Sequence, residues 1–262
     1  MILSVTSGKG GVGKTIGSLS LAYHAGQAGY KTLLIDTDFG MSNISILLQM
    51  HRQHSAEEVI SGSVALNTAV IDSRLGFDVL PSAYAKQPVI NKEQTAKYLE
   101  SLFTELKKIY DVIIVDTCGG IGDFVLTLNQ QADHILVLSN LDPHSITDAY
   151  AQIKLMNASC SLVMTRCPSS HEANKAAETI VTVASKHLNI SVFFAGYVPD
   201  DEQLASAVLT RNTNKMFAKN GLSSQAWCQI SHKIFNQIKL KNSLDSELFV
   251  RRDPDEGTSQ AV

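Results

Sequence analysis

The most regular feature of the chain is a series of short apolar runs separated by longer segments with helical spacing. The apolar runs have the length of buried β-strands, and they are Ile2–Thr6, Lys31–Asp36, Tyr110–Asp116, His134–Leu138, Ser161–Arg166 and Ser191–Gly196. Apolar residues recur at helical spacing in Ile16–Ala28, Ala96–Lys108 and Leu222–Lys239. Alternating buried strands and helices predict an α/β fold with a doubly wound, mostly parallel sheet flanked by helices.

Length and composition are consistent with one large domain. A chain of 262 residues with 44% hydrophobic residues can bury a sizeable core. We therefore expect a single domain over residues 1–240. Residues 241–262 are expected to form a partly disordered tail, because the end of the chain, Asp253–Val262, is polar.

The charge pattern bears on the partners and the location of the protein. The net charge of −3, with no evident cluster of Lys or Arg, does not favour DNA or an anionic membrane as a partner. No signal peptide or membrane-spanning run is recognised, so a cytoplasmic protein is expected, with peripheral contact at the inner face of the cell membrane left open. An apolar stripe on the last predicted helix, which includes Trp227 and Ile234, is interpreted as core cover.

A glycine-rich segment directly follows the first predicted strand. It fits the pattern G-x-x-x-x-G-K-[ST], and its residues are Gly8, Lys9, Gly10, Gly11, Val12, Gly13, Lys14 and Thr15. Glycines allow backbone N–H groups to turn toward phosphates, and the helix that follows adds the positive end of its dipole. Lys14 is expected to reach the β- and γ-phosphates, and the Thr15 hydroxyl to bind Mg²⁺.

A second signal is the buried strand that ends at Asp116. An apolar strand that closes on an acid is typical of the Walker B motif, whose carboxylate hydrogen-bonds a Mg²⁺-bound water. A simple cap at the end of the strand is the alternative for Asp116. The glycine-rich segment at 117–122 is interpreted as a switch that a γ-phosphate orders.

The sequence K-G-G-x-G-K-T, which begins at Lys9, resembles the deviant Walker A motif of the MinD/ParA family of dimerising ATPases. In that family the early lysine reaches the nucleotide of the partner subunit, so the resemblance implies a homodimer in the ATP state and a catalytic role for Lys9 in trans. A solvated loop lysine is the alternative.

The resemblance extends to D-x-D-x-G, which begins at Asp36. It implies that Asp36 supports the Mg²⁺ site and that Asp38 positions the attacking water, with Asn43 as the downstream asparagine of the family. The alternative for Asp38 is a turn acid that caps the following helix.

Two further segments refine the resemblance. The stretch S-I-T-D-A-Y, from Ser145 to Tyr150, resembles the FlhG branch of the family, also called FleN or YlxH. Tyr197-Val198-Pro199-Asp200 matches a family segment that walls the adenine pocket, so Pro199 and Asp200 are expected there. Arg166 ends a strand where the base should lie, and it could stack on adenine or remain a surface arginine. No guanine-reading aspartate follows it, which favours ATP over GTP.

Together these features predict an ATPase that uses Mg²⁺, dimerises with ATP, hydrolyses it slowly, and controls the placement or number of a cell-surface machine. The resemblance makes flagella the leading candidate for that machine and a protein of the flagellar or polar machinery the expected partner. Two alternatives remain open, a ParA-type DNA-partition ATPase and a regulatory module that binds ATP without hydrolysing it.

Overall fold

The strands predicted from the apolar runs are present and lie side by side in one sheet. The computed structural model describes residues 1–38, 42–82 and 92–250. Within them the strands are β1 Ile2–Thr6, β2 Thr32–Thr37, β3 Ile71–Asp72, β4 Asp78–Leu80, β5 Val112–Thr117, β6 His134–Ser139, β7 Cys160–Cys167 and β8 Val192–Pro199. Their order across the sheet is β3-β4-β2-β5-β1-β6-β7-β8. Every neighbouring pair is parallel except the antiparallel pair β3–β4, which confirms the predicted fold class.

Helices connect the successive strands except β3 and β4, which a short loop joins. The described helices are α1 Lys14–Gln27, α2 Asn43–Leu47, α3 Ala56–Ile60, α4 Leu66–Ala69, α5 Lys92–Ile109, α6 Asp123–Gln131, α7 Pro143–Met156, α8 Ser170–Leu188, α9 Glu202–Leu209, α10 Thr213–Met216 and α11 Leu222–Val250. Helix α11 therefore runs past the predicted end at Lys239. The polar stretch predicted to be disordered, Asp253–Val262, lies outside the described residues.

The core lies on both faces of the sheet, because successive residues of each buried strand point to opposite sides. In β1, Leu3 and Val5 join the cluster that α1 and α11 cover, whereas Ile2 joins the cluster that α5 covers. Helices α7 and α8 cover a third cluster beside β6 and β7. This double cover explains why the strands read as continuous apolar runs.

Helix α11 packs closely on α1, as its apolar stripe predicted. Trp227 is 2% exposed and Ile234 is fully buried. A Cβ atom at Gly17 would lie 2.8 Å from the Trp227 ring, so a glycine permits the two helices to approach this closely. The stripe is therefore core cover along these positions.

The topology places the carboxyl ends of β1, β2 and β5 next to one another. In the register of the parallel pair β2–β5, Asp36 lies opposite Asp116, and Val5 lies opposite Asp116 in the pair β1–β5. Loops that leave these strand ends form the crevice where α/β proteins bind ligands. The candidate motifs converge at this edge.

Candidate functional site

The glycine-rich loop joins the end of β1 to the start of α1. Gly11 and Gly13 have φ angles of 79° and 92°, a left-handed conformation that glycine adopts without strain. No side chain caps the N-terminus of α1, so the first backbone N–H groups of the helix remain available to a ligand. This geometry is an anion-binding cradle.

Lys14 is held inside this cradle. The residue is 8% exposed, and its Nζ donates a hydrogen bond to Ser7 Oγ at 2.9 Å. Burial lowers the pKa of Lys14, and the nearby carboxylates of Asp116 and Asp38 partly counter that shift. The ammonium group is thus positioned by its own loop before any phosphate arrives.

Asp36 and Asp116 form a fully buried pair of carboxyl groups beside the loop. Burial, followed by repulsion from Asp116, raises the pKa of Asp36 to about 7. Burial also raises the pKa of Asp116 to about 6, which the nearby hydroxyls of Ser18 and Thr15 oppose. Two such groups without a cation are costly to keep charged.

The hydrogen bonds of Asp116 indicate what the pair is suited to bind. Ser18 Oγ donates to Asp116 Oδ1 at 2.9 Å, whereas Asp116 Oδ2 is buried and accepts no hydrogen bond from the described residues. An orphaned carboxylate oxygen next to a phosphate cradle fits a Mg²⁺ site, because Mg²⁺ typically uses one or two carboxylates together with phosphate oxygens and water. Asp36, Asp116 and Thr15 can therefore hold a magnesium ion.

Asp38 follows β2 and faces the same crevice. Asn43 Nδ2 donates to Asp38 Oδ2 at 3.1 Å, and the backbone N–H of Asp38 donates to Asp36 Oδ1 at 3.0 Å. Burial raises the pKa of Asp38, and Lys14 and Asn43 oppose the rise. Its carboxylate is thus oriented by an amide rather than used as a helix cap. Gly40 of the D-x-D-x-G motif lies outside the described residues.

Lys9 is paired with a residue outside this cluster. Its Nζ lies 3.0 Å from Asp142 Oδ2, and both side chains are 40% exposed. Asp142 is the N-cap of α7, where its Oδ1 accepts the N–H of His144 at 2.8 Å. Lys9 is therefore an outward-facing lysine that its own chain holds in an ion pair.

The segment predicted to be a switch, residues 117–122, lies against the glycine-rich loop. The N–H of Gly120 donates to the Ser7 carbonyl at 3.1 Å. A Cβ atom at Gly119 would lie 3.2 Å from the backbone N of Gly10 and 3.5 Å from Lys14 Nζ. Only a glycine therefore fits there without a shift of the loop.

A cavity of about 450 Å³ opens beside the loop, on the side of β7 and β8. Arg166, Pro199 and Asp200 line it together with Gly11, Val12 and Gly13. The Thr165 hydroxyl fixes the loop to β7 by donating to the Val12 carbonyl at 2.7 Å. Arg166 Nε lies 3.8 Å from Asp200 Oδ1 at the exposed rim of the cavity.

The structure also brings to the site residues that no sequence motif assigned to it. Ser18 contacts Asp116, and Asp142 contacts Lys9. The cavity beside the loop is lined in part by Leu204 and Trp227. No local sequence motif predicts the contacts of these four residues. The one available signal was the K-T-I-G-S spacing, which places Ser18 one helical turn after Lys14, on the face of α1 toward the strands.

Helix α7 packs directly on the loop, which gives a structural role to the S-I-T-D-A-Y stretch. A Cβ atom at Gly8 would overlap the backbone of Asp148. Further along the helix, Gln152 Nε2 donates to Thr6 Oγ1 at 2.6 Å, where both side chains are buried. These contacts fix α7 relative to the end of β1.

Comparison with protein families and curated proteins shows what the chain is similar to. A family model described as an AAA domain matches residues 1–164. The antiactivator FleN of Pseudomonas aeruginosa is 31% identical over 79% of this chain and 76% of its own length. The flagellum site-determining protein YlxH of Helicobacter pylori is 26% identical over 90% of this chain and 82% of its own length.

Solved structures of the same fold cover most of the chain. The septum site-determining protein MinD of Pyrococcus horikoshii, complexed with Mg-ADP, superposes with a TM-score of 0.73 at 21% identity, over 89% of this chain and 95% of that one. The MinC:MinD cell division protein complex of Aquifex aeolicus superposes with a TM-score of 0.73 at 24% identity, over 90% of this chain and 96% of that one.

Among the helices of the described residues, none combines the length and the apolar character that a membrane span requires.

Proposed function

Because the chain belongs to the MinD/ParA family of P-loop ATPases, we propose that it is an ATP-dependent switch that dimerises with ATP and Mg²⁺ and reverts to a monomer after hydrolysis. The observation that carries this proposal is the convergence of Lys14, Asp36, Asp38 and Asp116 on one glycine-rich loop. Because Lys14, Asp36 and Asp116 are ionisable and buried, keeping all three charged without a ligand is costly.

Each predicted residue has a position that suits a distinct role. Lys14 would contact the β- and γ-phosphates, while Thr15, Asp36 and Asp116 would hold Mg²⁺, which neutralises developing charge on the phosphates when it is bound. Asp38, oriented by Asn43, would align and accept a proton from the attacking water. Arg166, Pro199 and Asp200 would surround the adenine in the cavity beside the loop.

Lys9 supports the proposal that the active form is a homodimer. It does not reach the Lys14 cluster of its own chain and pairs instead with Asp142 at an exposed position. A lysine so placed is available to the nucleotide of a second copy, where it would stabilise transition-state charge in the manner of an arginine finger.

The cellular role that we propose is control of the placement or number of flagella, through a protein of the flagellar or polar machinery. It rests on similarity to an antiactivator FleN and to a flagellum site-determining protein YlxH. A cytoplasmic location with peripheral contact at the membrane is part of the same proposal.

Light scattering of the wild type and of Lys9→Ala and Asp38→Ala variants, with ATP and Mg²⁺, tests the proposal. Asp38→Ala should accumulate as an ATP-bound dimer, whereas Lys9→Ala should stay monomeric and release no phosphate. Lys186→Ala, which removes an exposed lysine on α8, is the matched control and should behave as wild type. If the wild type and Asp38→Ala both bind ATP and remain monomeric, the protein is a nucleotide-binding module instead. If the ATP-bound protein is retained on DNA in a salt-sensitive manner, it is a partition protein.

A further inference from the structure

A second cavity lies beside α2. It has a volume of about 570 Å³ and is lined by Ser42, Ser45, Ile46, Gln49, Met50, His51, Arg52 and Arg211. This set shares no residue with the lining of the cavity beside the glycine-rich loop. We propose that it is a separate binding site for an oxyanion, namely the phosphate or carboxylate group of a small ligand.

The charge of the lining is the first argument. Two arginines and a histidine face the cavity, and none of the described residues that line it carries a carboxylate. Guanidinium groups present several donors in a rigid fork that matches phosphate and carboxylate oxygens. The side chains of the lining therefore carry positive charge and several hydrogen-bond donors.

An unsatisfied hydroxyl is the second and independent argument. Ser45 is 7% exposed, and its Oγ makes no hydrogen bond with any described residue. Its backbone carbonyl is already used, since it accepts the N–H of Met50 at 2.9 Å. A buried polar atom without a partner costs stability, and a ligand oxygen in this cavity would satisfy it.

The walls of the cavity are tied together by hydrogen bonds. Gln49 Nε2 donates to the Arg211 carbonyl at 3.1 Å, which joins the turn after α2 to the turn after α9. At the base, Ser42 Oγ and Arg52 Nη1 both donate to the Ser82 carbonyl, at 2.9 and 3.2 Å. These bonds hold the backbone at Arg211 and one end of the Arg52 guanidinium in place before a ligand binds, which lowers the entropic cost of binding.

The cavity shares a wall with the catalytic carboxylates. Helix α2 presents Ser45 and Ile46 to the cavity, while Asn43 of the same helix donates to Asp38 and the N–H of Ile44 lies 3.4 Å from Asp36 Oδ2. A bound oxyanion would therefore contact the helix that orients Asp38.

Calorimetric titration of the full chain tests this site, with excess ADP present to fill the glycine-rich loop and no added metal. Inorganic phosphate and succinate are the two probes. Saturable binding of phosphate alone identifies a phosphate-bearing ligand, and binding of succinate alone identifies a carboxylate. Binding of neither probe, whether ADP is present or absent, overturns the proposal.

Variants assign the binding to the cavity. Arg52→Ala and Arg211→Ala should each weaken it about tenfold or more, because each removes a charge-assisted hydrogen-bond donor. Arg211 is exposed and at a turn, so its substitution tests the site even if Arg52→Ala proves unstable. Arg74→Ala removes an exposed arginine outside the cavity and should leave the affinity unchanged. Equal affinity in wild type and both cavity variants would contradict the assignment.

Ser45→Ala separates a ligand-binding role from a structural one. Since the hydroxyl has no partner in the ligand-free protein, its removal should leave the thermal midpoint unchanged or raise it. The same variant should weaken binding of the probe several-fold. A lower thermal midpoint with unchanged affinity would show that Ser45 serves the fold and not the cavity.

Discussion

Lys9 Nζ lies 3.0 Å from Asp142 Oδ2 in the same chain, so the lysine expected to serve a partner subunit is already paired. The hydrogen bond from Lys9, followed by that from the N–H of His144, lowers the pKa of Asp142. Before Lys9 can act in trans, this pair must open. Under the proposed homodimer mechanism, this contact favours the monomer.

Asp142→Asn should therefore promote dimerisation. Asparagine keeps an acceptor for the N–H of His144 and is a good N-cap, so α7 should stay intact while the charge is lost. Because exposed ion pairs contribute little, we expect the ATP concentration for half-maximal dimerisation to fall by only roughly two- to fivefold. Light scattering across an ATP titration measures it.

The control for this prediction is Glu105→Gln, which breaks a comparable exposed pair between Glu105 and Lys108 on α5. It should leave the ATP dependence unchanged. A rise in the ATP concentration required by Asp142→Asn would show that the pair with Lys9 assists the dimer instead of opposing it.

Much of this site could be predicted because each motif is local and each strand ends in its functional residue. Lys14 follows from the glycine-rich motif. The placement of Asp36 and Asp116 follows from the apolar runs that end in them and from the rule that parallel strands end at one edge. The pairs Lys9–Asp142 and Ser18–Asp116 could not be predicted, because their members lie 133 and 98 residues apart and meet only through packing.

The start of helix α8 is marked in the sequence by a capping motif rather than by the pattern of apolar residues. Ser169 caps its first turn by accepting the N–H of Glu172 at 3.3 Å, and this S-x-x-E spacing is visible in the sequence. Helix α9 is shorter, and neither it nor the place of Leu204 in the cavity could be predicted from periodicity. Its position depends on tertiary contacts.

Ser18→Ala should weaken magnesium binding more than it destabilises the fold. The variant removes the hydroxyl that fixes Asp116 Oδ1, so the carboxylate loses its orientation and its charged form becomes less favourable. Loss of a buried hydrogen bond to a charged group costs about 1.5–3 kcal/mol, which corresponds to a roughly 10- to 150-fold weaker affinity for Mg²⁺. Titration of Mg²⁺ against the ADP-bound protein measures this.

Ser20→Ala serves as the control, because Ser20 is also buried on α1 but makes no hydrogen bond to Asp116 among those described. It should bind Mg²⁺ as wild type does. Rescue of the Ser18 site by Ser18→Thr, which restores a hydroxyl, would support orientation of the carboxylate. Equal affinity for Mg²⁺ in wild type and Ser18→Ala would count against it.

Gly8→Ala should destabilise the protein, whereas Gly10→Ala should not. An added Cβ at Gly8 would overlap the backbone of Asp148. To relieve the overlap, α7 would have to move away from β1. At Gly10 nothing lies within 4 Å of the added atom, and its φ is not positive. We expect a loss of about 1–3 kcal/mol in the free energy of unfolding for Gly8→Ala, measured by urea denaturation, and little change for Gly10→Ala. Equal losses would show that loop flexibility matters more than contact with α7.

The buried pair Asp36 and Asp116 should make stability depend on pH in the absence of metal. The pKa of Asp36 rises from 3.8 to about 7 on folding, so the folded state binds more protons than the unfolded state between those values. Stability must therefore fall as the pH rises from about 4 to about 7, and the full cost is present above pH 7.

Asp36→Asn removes this cost, and its effect should itself depend on pH. Relative to wild type, it should gain about 1–4 kcal/mol more in the free energy of unfolding near pH 7.5 than near pH 5, since at the lower pH wild-type Asp36 is already protonated. Urea denaturation in the presence of a chelator, at both pH values, measures the difference. Asp72→Asn, at an exposed position on β3, is the control and should show no such difference. A pH-independent effect of Asp36→Asn would mean that Asp36 stays charged at pH 5. A cation that binds Asp36 would then displace no proton from it.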